Sequence, residues 1–429
     1  MADPLRLGIA GLGTVGAGVV KIIRQKAELL SARAGRDIVI SAVSARSRNK
    51  DRGVNLANFA WEEDPVALAT REDIDVFVEL VGGEDGPAKS AVEAALNAGK
   101  DVITANKAML AMHGQALAEQ AETAGRIVRF EAAVAGGIPV IKTLTEGLAG
   151  NDIKRVMGVM NGSCNYILTR MESAGLTYEE VFAEADGLGY LEADPQLDVG
   201  GIDAAHKLAI LSSIAFGTQV DFAGITLEGI ESVTIEDIKH AADMGFKIKL
   251  LGSAQRTARG LEQSMAPCLV PATSPLGQLD GGTNMIVLEG DHVGQIVLRG
   301  AGAGEGPTAS AVLSDIVDIA RGIRLPTFGQ PAASLERAKS AKSATPAPYY
   351  LRLSLEDKPG ALAKVATALG DAGVSIDRMR QYDHEDATTA PVLIVTHTVA
   401  SDALKTALDA LPATNVINGT PVALRIEKV

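Results

Sequence analysis

The sequence predicts a chain of mixed α/β and α+β class: a doubly wound parallel sheet, then an α+β unit, then a small ferredoxin-like unit. Three observations predict it. A glycine turn, GLGTVG at 11–16, joins the strand-like LRLGIA to an apolar-faced helix. Strand-like and helix-like segments then alternate up to about residue 134. Beyond residue 348 the order becomes strand–helix–strand–strand–helix–strand.

Length and composition frame these elements. The chain has 429 residues, enough for about two to four domains, and 47% of them are hydrophobic, ample for buried cores. A net charge of −13 argues against nucleic acid and anionic membrane surfaces as partners. Cys164 and Cys268 are the two cysteines, so no disulfide framework is indicated. The N-terminus runs directly into a strand without a signal-peptide pattern, and no apolar run reaches the ~18 residues needed to cross a bilayer. A soluble, cytoplasmic protein is expected.

The first element carries the dinucleotide fingerprint. Gly11 permits a tight turn, Gly13 lets backbone approach a pyrophosphate, and Gly16 allows close helix–strand packing. With Thr14 and Val15 they present a helix N-terminus to phosphate, so a Rossmann-type domain is predicted. The strand DIVISAVS ends at Arg46, with Arg48 and Lys50 behind it. Arginine there suits a 2′-phosphate, favouring NADP over NAD, with use of both cofactors left open. IDVFVEL, KDVITA and RIVRFEAAV are the next strands; PAKSAVEAALNAG and GQALAEQAETAG are helices between them. VGG at 81–83 and then Thr104, Asn106 and Lys107 fall at strand ends, where such sheets bind ligands.

The middle of the chain holds the acidic stretch ADGLGYLEADPQLDVGGIDAAHK, with Glu192, Asp194, Asp198 and Asp203 close together. If GIDAAHKLAILSSIAFG is helical, Asp203 and Lys207 share one face, and the apolar neighbours partly enclose Lys207. A solvated acidic loop with a surface ion pair is the plainer reading of the same residues. EAAVAGGIPVI at 131–141 is a glycine-rich turn able to expose carbonyls to a hard cation. Cys164 begins the helix of NGSCNYILTRM, where a helix N-terminus lowers a thiol pKa, so an acylating thiol is the alternative chemistry. FKIKLLGSAQ, SMAPCLVPA, NMIVLEGD and GQIVLRGAG read as strands of a substrate domain, and GAGAGEGPTASAVLSDI as a glycine loop feeding a helix that returns to the first domain.

Residues 331–348 have linker composition, small, polar and proline-containing. The predicted divisions are 1–133 for the dinucleotide domain, completed by 300–330, then 134–300 for substrate binding and oligomerisation, and 349–429 for the tail. Asp357, Pro359 and Gly360 occupy the tail's first strand–helix turn, and the strand VSIDRMRQYD follows the helix.

With these motifs in place, the chain resembles bacterial homoserine dehydrogenases that carry a C-terminal ACT domain. GYLEADPQLDVGGIDAAHK is similar to the family signature, and GLGTVG, ITANKAML, NGSCNYIL and GAGEGPTASAV stand in the expected order. Leu191 replaces a small residue, and Cys164 a more usual threonine. The resemblance implies NAD(P)H-dependent, reversible reduction of L-aspartate 4-semialdehyde to L-homoserine, on the route to threonine, methionine and isoleucine. It makes Lys207 the leading general acid/base, with Lys107 as the second donor and Asp203 as its orienting partner. Glu192, Asp198, Asp203 and Lys207 would hold substrate; Gly302, Gly304, Thr104 and Lys107 would join the glycine turn around the cofactor. An enclosed lysine beside the cofactor is expected to have a depressed pKa. By the same resemblance, backbone carbonyls of Glu131, Val134, Gly136 and Ile138 would bind sodium, the tail would bind threonine as effector, and the chain would form a homodimer or homotetramer. The competing readings are a non-catalytic nucleotide-binding amino-acid sensor and a phosphorylating semialdehyde dehydrogenase using Cys164.

Overall fold

The computed structural model describes residues 2–192, 194–382 and 389–428; Asp383, the last residue of the expected strand 374–383, lies outside them. The amino-terminal part is a six-stranded sheet in the order β3-β2-β1-β4-β5-β6. Its strands are β1 (Leu5–Ala10), β2 (Ile38–Ser44), β3 (Ala60–Glu62), β4 (Val76–Glu79), β5 (Asp101–Thr104) and β6 (Val128–Arg129). Every pairing is parallel. Helices cover both faces, so β1 and β4 read as apolar runs rather than alternating ones. Those helices are α1 (Thr14–Gln25), α2 (Ala27–Ala34), α3 (Pro65–Ala69), α4 (Pro87–Asn97) and α5 (Lys107–Thr123). The strand expected over 126–134 is cut short: after Arg129 the chain tightens into a 3₁₀ turn, Glu131–Ala133.

After the short α6 (Val140–Lys142) the chain builds a second sheet. β7 (Ile153–Val159) leads to α7 (Gly162–Ala174), α8 (Tyr178–Gly187), α9 (Gln196–Val199) and α10 (Ile202–Phe216). Then come β8 (Thr226–Leu227), α11 (Ile235–Asp243), β9 (Phe246–Thr257), β10 (Gly260–Pro271), β11 (Thr283–Gly290) and β12 (Gly294–Ala301). Capping boxes at Thr177/Glu180 and Thr234/Asp237 start α8 and α11. α10 is buried along most of its length and stops at Gly217, which takes the left-handed conformation. α12 (Glu305–Ala320) returns to the first domain, with Glu305 bonded to Lys21 of α1 at 2.7 Å.

The tail comprises β13 (Tyr349–Glu356), α13 (Ala361–Asp371), β14 (Ile376–Gln381), β15 (Thr389–Thr396), α14 (Ser401–Ala410) and β16 (Ile417–Ile426). Its strands run β16-β13-β15-β14, a ferredoxin-like order. They join the second sheet, because Cys268 and Leu269 of β10 pair with Arg425 and Ile426 of β16. The segment 331–348 departs from the free tether its composition suggests. Its backbone bonds Gln219 and Leu261, Thr345 is held by Glu262, and Leu335 and Ala347 are buried.

Candidate active site

A cavity of about 550 Å³ lies between the two sheets, lined by Val15, Gly304 and Thr308 on one side and by Glu192, Asp203 and Lys207 on the other. It therefore joins the glycine turn to the acidic stretch. A second cavity of about 610 Å³ shares Lys107, Glu192 and Asp203 with it and opens past Gly82, Gly83 and His206.

The glycine turn has the geometry its spacing demands. Gly11 sits at φ +93, and a Cβ there would lie 2.2 Å from the Leu80 carbonyl oxygen. A Cβ on Gly16 would lie 2.0 Å from the Gly11 oxygen, while Gly13 has nothing within 4 Å and leaves the approach to the helix end open. These features fit a pyrophosphate. Thr14 and Val15 open α1, and Val15 reaches the cavity. Arg46 is exposed just beyond β2. Arg52, which the sequence reading passed over, donates to the Leu12 carbonyl at 3.0 Å and to Ser47 at 2.5 Å, tying the basic loop to the glycine turn.

Lys207 and Asp203 do share one face of α10. Lys207 Nζ donates to Asp203 Oδ2 at 2.6 Å and to the Met160 carbonyl at 2.8 Å. Lys107 Nζ lies 3.0 Å from Asp203 Oδ1, so one carboxylate bridges two ammonium groups. Asp198 braces them: its Oδ1 accepts from Asn161 Nδ2 at 2.8 Å, and its Oδ2 accepts from the Glu192 N–H at 2.9 Å. Asn161 also donates to Asp203 at 3.2 Å and caps α7 through the Cys164 N–H at 2.8 Å. Asn284 shares the Met160 carbonyl at 3.1 Å. Asn161 was legible as an N-cap before a helix; nothing in the sequence flagged Asn284.

The position of Lys107 is set by polar groups from two strand ends. Asn106 caps α5, accepting from the Met109 N–H at 3.1 Å, and donates to the Gly83 carbonyl at 2.6 Å. Lys107 thus begins a helix rather than sitting in a loop, and α5 starts seven residues earlier than the segment GQALAEQAETAG suggests. Fully buried Glu79 accepts from the Val81 and Gly82 N–H groups at 2.7 and 2.9 Å and from the Thr104 hydroxyl at 2.5 Å. Thr104 Oγ1 also accepts from the Asn106 N–H at 3.0 Å. The Thr104 hydroxyl thus ties Glu79 to the start of α5.

Electrostatics separate the groups. Burial alone would raise the Asp203 carboxyl, yet Lys207 and Lys107 outweigh it and hold Asp203 well below the usual carboxylate range. For Lys107, burial pulls downward, but Asp203, with Glu192 and Asp198 behind it, more than offsets this. Its pKa is raised. The Cys164 thiol is buried, donates to the Asp198 carbonyl at 3.2 Å, and is pushed well above its ordinary value by burial and by Asp198. That is the environment of an inert core thiol, which overturns the nucleophilic alternative.

Gly302 and Gly304 bring the loop before α12 to the cavity. A Cβ on Gly302 would lie 2.0 Å from Asn284 Nδ2, and one on Gly136 2.5 Å from the Gly302 carbonyl oxygen, so the two glycine loops pack back to back. Ala135 and Gly136 are consecutive left-handed residues at φ 57 and 53, which turn their carbonyls abruptly. Val134 and Ile138 are buried on either side, and the Ile138 carbonyl accepts from the Val140 N–H at 2.8 Å. The Glu131 side chain accepts from the Ile141 and Lys142 N–H groups, both at 2.9 Å; burial and Asp315 raise it to about 7. Among the described residues there is no group of three or more His, Cys, Asp and Glu side chains placed to hold a metal ion.

Comparison with known proteins gives this cavity a context. Residues 11–131 match the family model for the homoserine dehydrogenase NAD-binding domain, 139–317 that for homoserine dehydrogenase, and 349–413 that for the ACT domain. The chain is 42% identical over 433 residues to a homoserine dehydrogenase of Neisseria gonorrhoeae, covering 99% of each protein. It is 41% identical to that of Pseudomonas aeruginosa, again over 99% of each. The crystal structure of a homoserine dehydrogenase from Thiobacillus denitrificans superposes with a TM-score of 0.93 at 38% identity, covering 99% of this chain and 98% of that one. A hyperthermophilic archaeal homoserine dehydrogenase mutant in complex with NADPH matches with a TM-score of 0.63 at 27% identity, over 73% of this chain and 97% of that one.

Proposed function

The chain belongs to the homoserine dehydrogenase family and is an NAD(P)-dependent oxidoreductase, and from that premise we propose how its own residues carry the reaction. One observation carries the proposal: Asp203 bridges Lys107 and Lys207 at the wall of a cavity that reaches the glycine turn. When bound, the nicotinamide cofactor supplies a hydride to the aldehyde carbon of L-aspartate 4-semialdehyde. Negative charge then builds on the carbonyl oxygen, which needs a cation and a proton. Lys207 meets both needs. Two of its three N–H bonds go to Asp203 and Met160, which leaves the third for the substrate oxygen. Lys107 adds positive charge from the opposite side of Asp203. Glu192, exposed to both cavities, takes the substrate's ammonium group, and Asp198 fixes the backbone of Glu192. In the reverse direction neutral Lys207 accepts the hydroxyl proton of L-homoserine.

Several finer assignments belong to the same reading. NADP is favoured over NAD because Arg46 stands exposed where β2 ends, whereas Arg52 is occupied with the loop backbone. Arg46→Ala should lower kcat/KM for NADPH about tenfold and leave NADH nearly unchanged. Sodium would rest on the carbonyls of Glu131, Val134, Gly136 and Ile138, supported by the two left-handed residues there, and replacing sodium by choline should then lower thermal stability. Threonine would bind the ACT tail, whose first turn carries Asp357, Pro359 and Gly360; titration of threonine into the assay tests it. The exposed β12, with Val297 on it and Val293 just before it uncovered, supports a homodimer or homotetramer through the domain 134–300, and light scattering reads the mass. The predicted divisions at 133, 300 and 348 stand with this proposal, as does a cytoplasmic location, for which the two free buried cysteines speak.

The direct test is NADPH consumption with aspartate semialdehyde by the native chain and by Lys207→Ala. Turnover that falls on the order of 10² to 10⁴ in kcat in the variant supports the assignment. Native-like turnover by Lys207→Ala would remove Lys207 from the proton transfer.

A further inference from the structure

A cavity of about 600 Å³ lies at the opposite end of the first sheet from the glycine turn. It is framed by the starts of β1, β4 and β5, at Leu5, Val76 and Asp101, and by the end of α12. Five cationic side chains line it, Arg36, Lys100, Arg126, Arg321 and Arg324, against the two carboxylates of Asp75 and Asp101. Both carboxylates are already neutralised. Arg6 grips Asp75 at 3.1 and 2.7 Å, and Arg324 grips Asp101 at 3.0 and 2.7 Å.

Of the remaining cations, Arg321 has one loose contact, 4.0 Å to Asp318 Oδ1, and Arg36, Lys100 and Arg126 have no ion pair among the described residues. Lys100 Nζ donates to the Ile74 carbonyl at 2.8 Å, and Arg321 Nε to the Arg33 carbonyl at 2.8 Å, contacts that use a donor but cancel no charge. The Nε atoms of Arg36 and Arg126 are buried and have no hydrogen-bond partner among the described residues. A buried guanidinium donor without an acceptor is costly, and converging like charges add to that cost. In a chain of net charge −13, a basic hollow is a local departure that an anion would offset.

We infer that this cavity is a binding site for a small phosphate-bearing molecule carrying at least two negative charges. Guanidinium forks match phosphate geometry, and several of them spread around one hollow call for more than one anionic group. The volume is that of a metabolite site rather than of a lone inorganic ion. α12 has 16 residues, a length of about 24 Å, with Gly304 and Thr308 at the cofactor cavity and Ala320 here, so the two sites are separate.

The test is calorimetric titration of inorganic pyrophosphate into the enzyme saturated with NADPH, which keeps the glycine turn filled. The expected result is one saturable site. Arg36→Gln with Arg126→Gln should weaken it at least ~10-fold, each single variant by less, while kcat with semialdehyde stays within about twofold and Lys405→Gln binds as the parent does. Unchanged kcat also reports that the double variant is folded. Absence of saturable binding, or parent-like binding by the double variant, would overturn the site. Citrate binding as tightly as pyrophosphate would overturn the phosphate assignment.

Discussion

Asp203 acts as the hub of the site because a single carboxylate holds two ammonium groups, at 2.6 and 3.0 Å, while Asn161 supports it at 3.2 Å. Asp203→Asn removes the charge that raises Lys107, so the limb of the kcat–pH profile that reports Lys107 should move to lower pH as kcat falls by about 10² or more. A limb that stays in place would mean that Lys107 does not titrate in the working range. Lys249 behaves oppositely. It is almost fully buried, donates to Asn165 Oδ1 at 3.0 Å and to the Leu279 carbonyl, and burial lowers its pKa to about 8. Between about pH 8 and 10.5 the unfolded chain therefore binds a proton there that the folded chain does not, so stability attributable to Lys249 rises with pH. Chemical denaturation of the native chain and Lys249→Met across that window should show the difference moving in the native chain's favour by up to about 3 kcal/mol. The Asp203–Lys207 contact was legible because both residues lie four apart on one helix; the contact to Lys107 joins positions 96 residues apart, which no local spacing encodes.

At the scale of elements, the cap of α5 decides where Lys107 points. Asn106 does two jobs, capping through Oδ1 and tying the 81–83 loop through Nδ2. Serine retains the first and loses the second. Asn106→Ser should therefore keep thermal stability within about 0.5 kcal/mol of the native chain yet lower kcat about tenfold, whereas Asn106→Ala should lose both, with a cost of about 1 kcal/mol. If Asn106→Ser turns over like the native chain, the link to Gly83 has no part in placing Lys107. The strand order and helices of the first domain were readable from apolar runs and punctuating glycines. The strap 331–348 was not, because its bonds to Gln219 and Leu261 run backbone to backbone and are indifferent to side-chain composition.

For the whole molecule, the tail is spliced into the catalytic unit rather than hung from it. β16 pairs with β10 at Cys268 and Leu269, and Glu427 binds Arg155. Arg352 of β13 reaches back to fully buried Asp237 at 2.5 and 3.1 Å, at the start of α11. Removing residues 349–429 would bare the β10 edge and take away the counter-charge of Asp237. The truncated chain should melt at a lower temperature and self-associate in light scattering. Arg352→Ala probes the same junction without exposing the edge: it leaves Asp237 buried without its counter-charge, which commonly costs about 3 to 5 kcal/mol, with kcat nearly unchanged, because Asp237 and Arg352 lie outside the catalytic cavity. It also bears on effector action. Under the proposed role of threonine, the routes from the tail to the catalytic unit include the β10–β16 pairing, the Glu427–Arg155 and Arg352–Asp237 pairs, and the bonds of Arg380 and Tyr382 to Asp243, each at 2.9 Å. Loss of threonine inhibition in Arg352→Ala, with intact threonine binding, would assign the coupling to that ion pair; full inhibition would exclude that pair and leave the coupling to the other contacts.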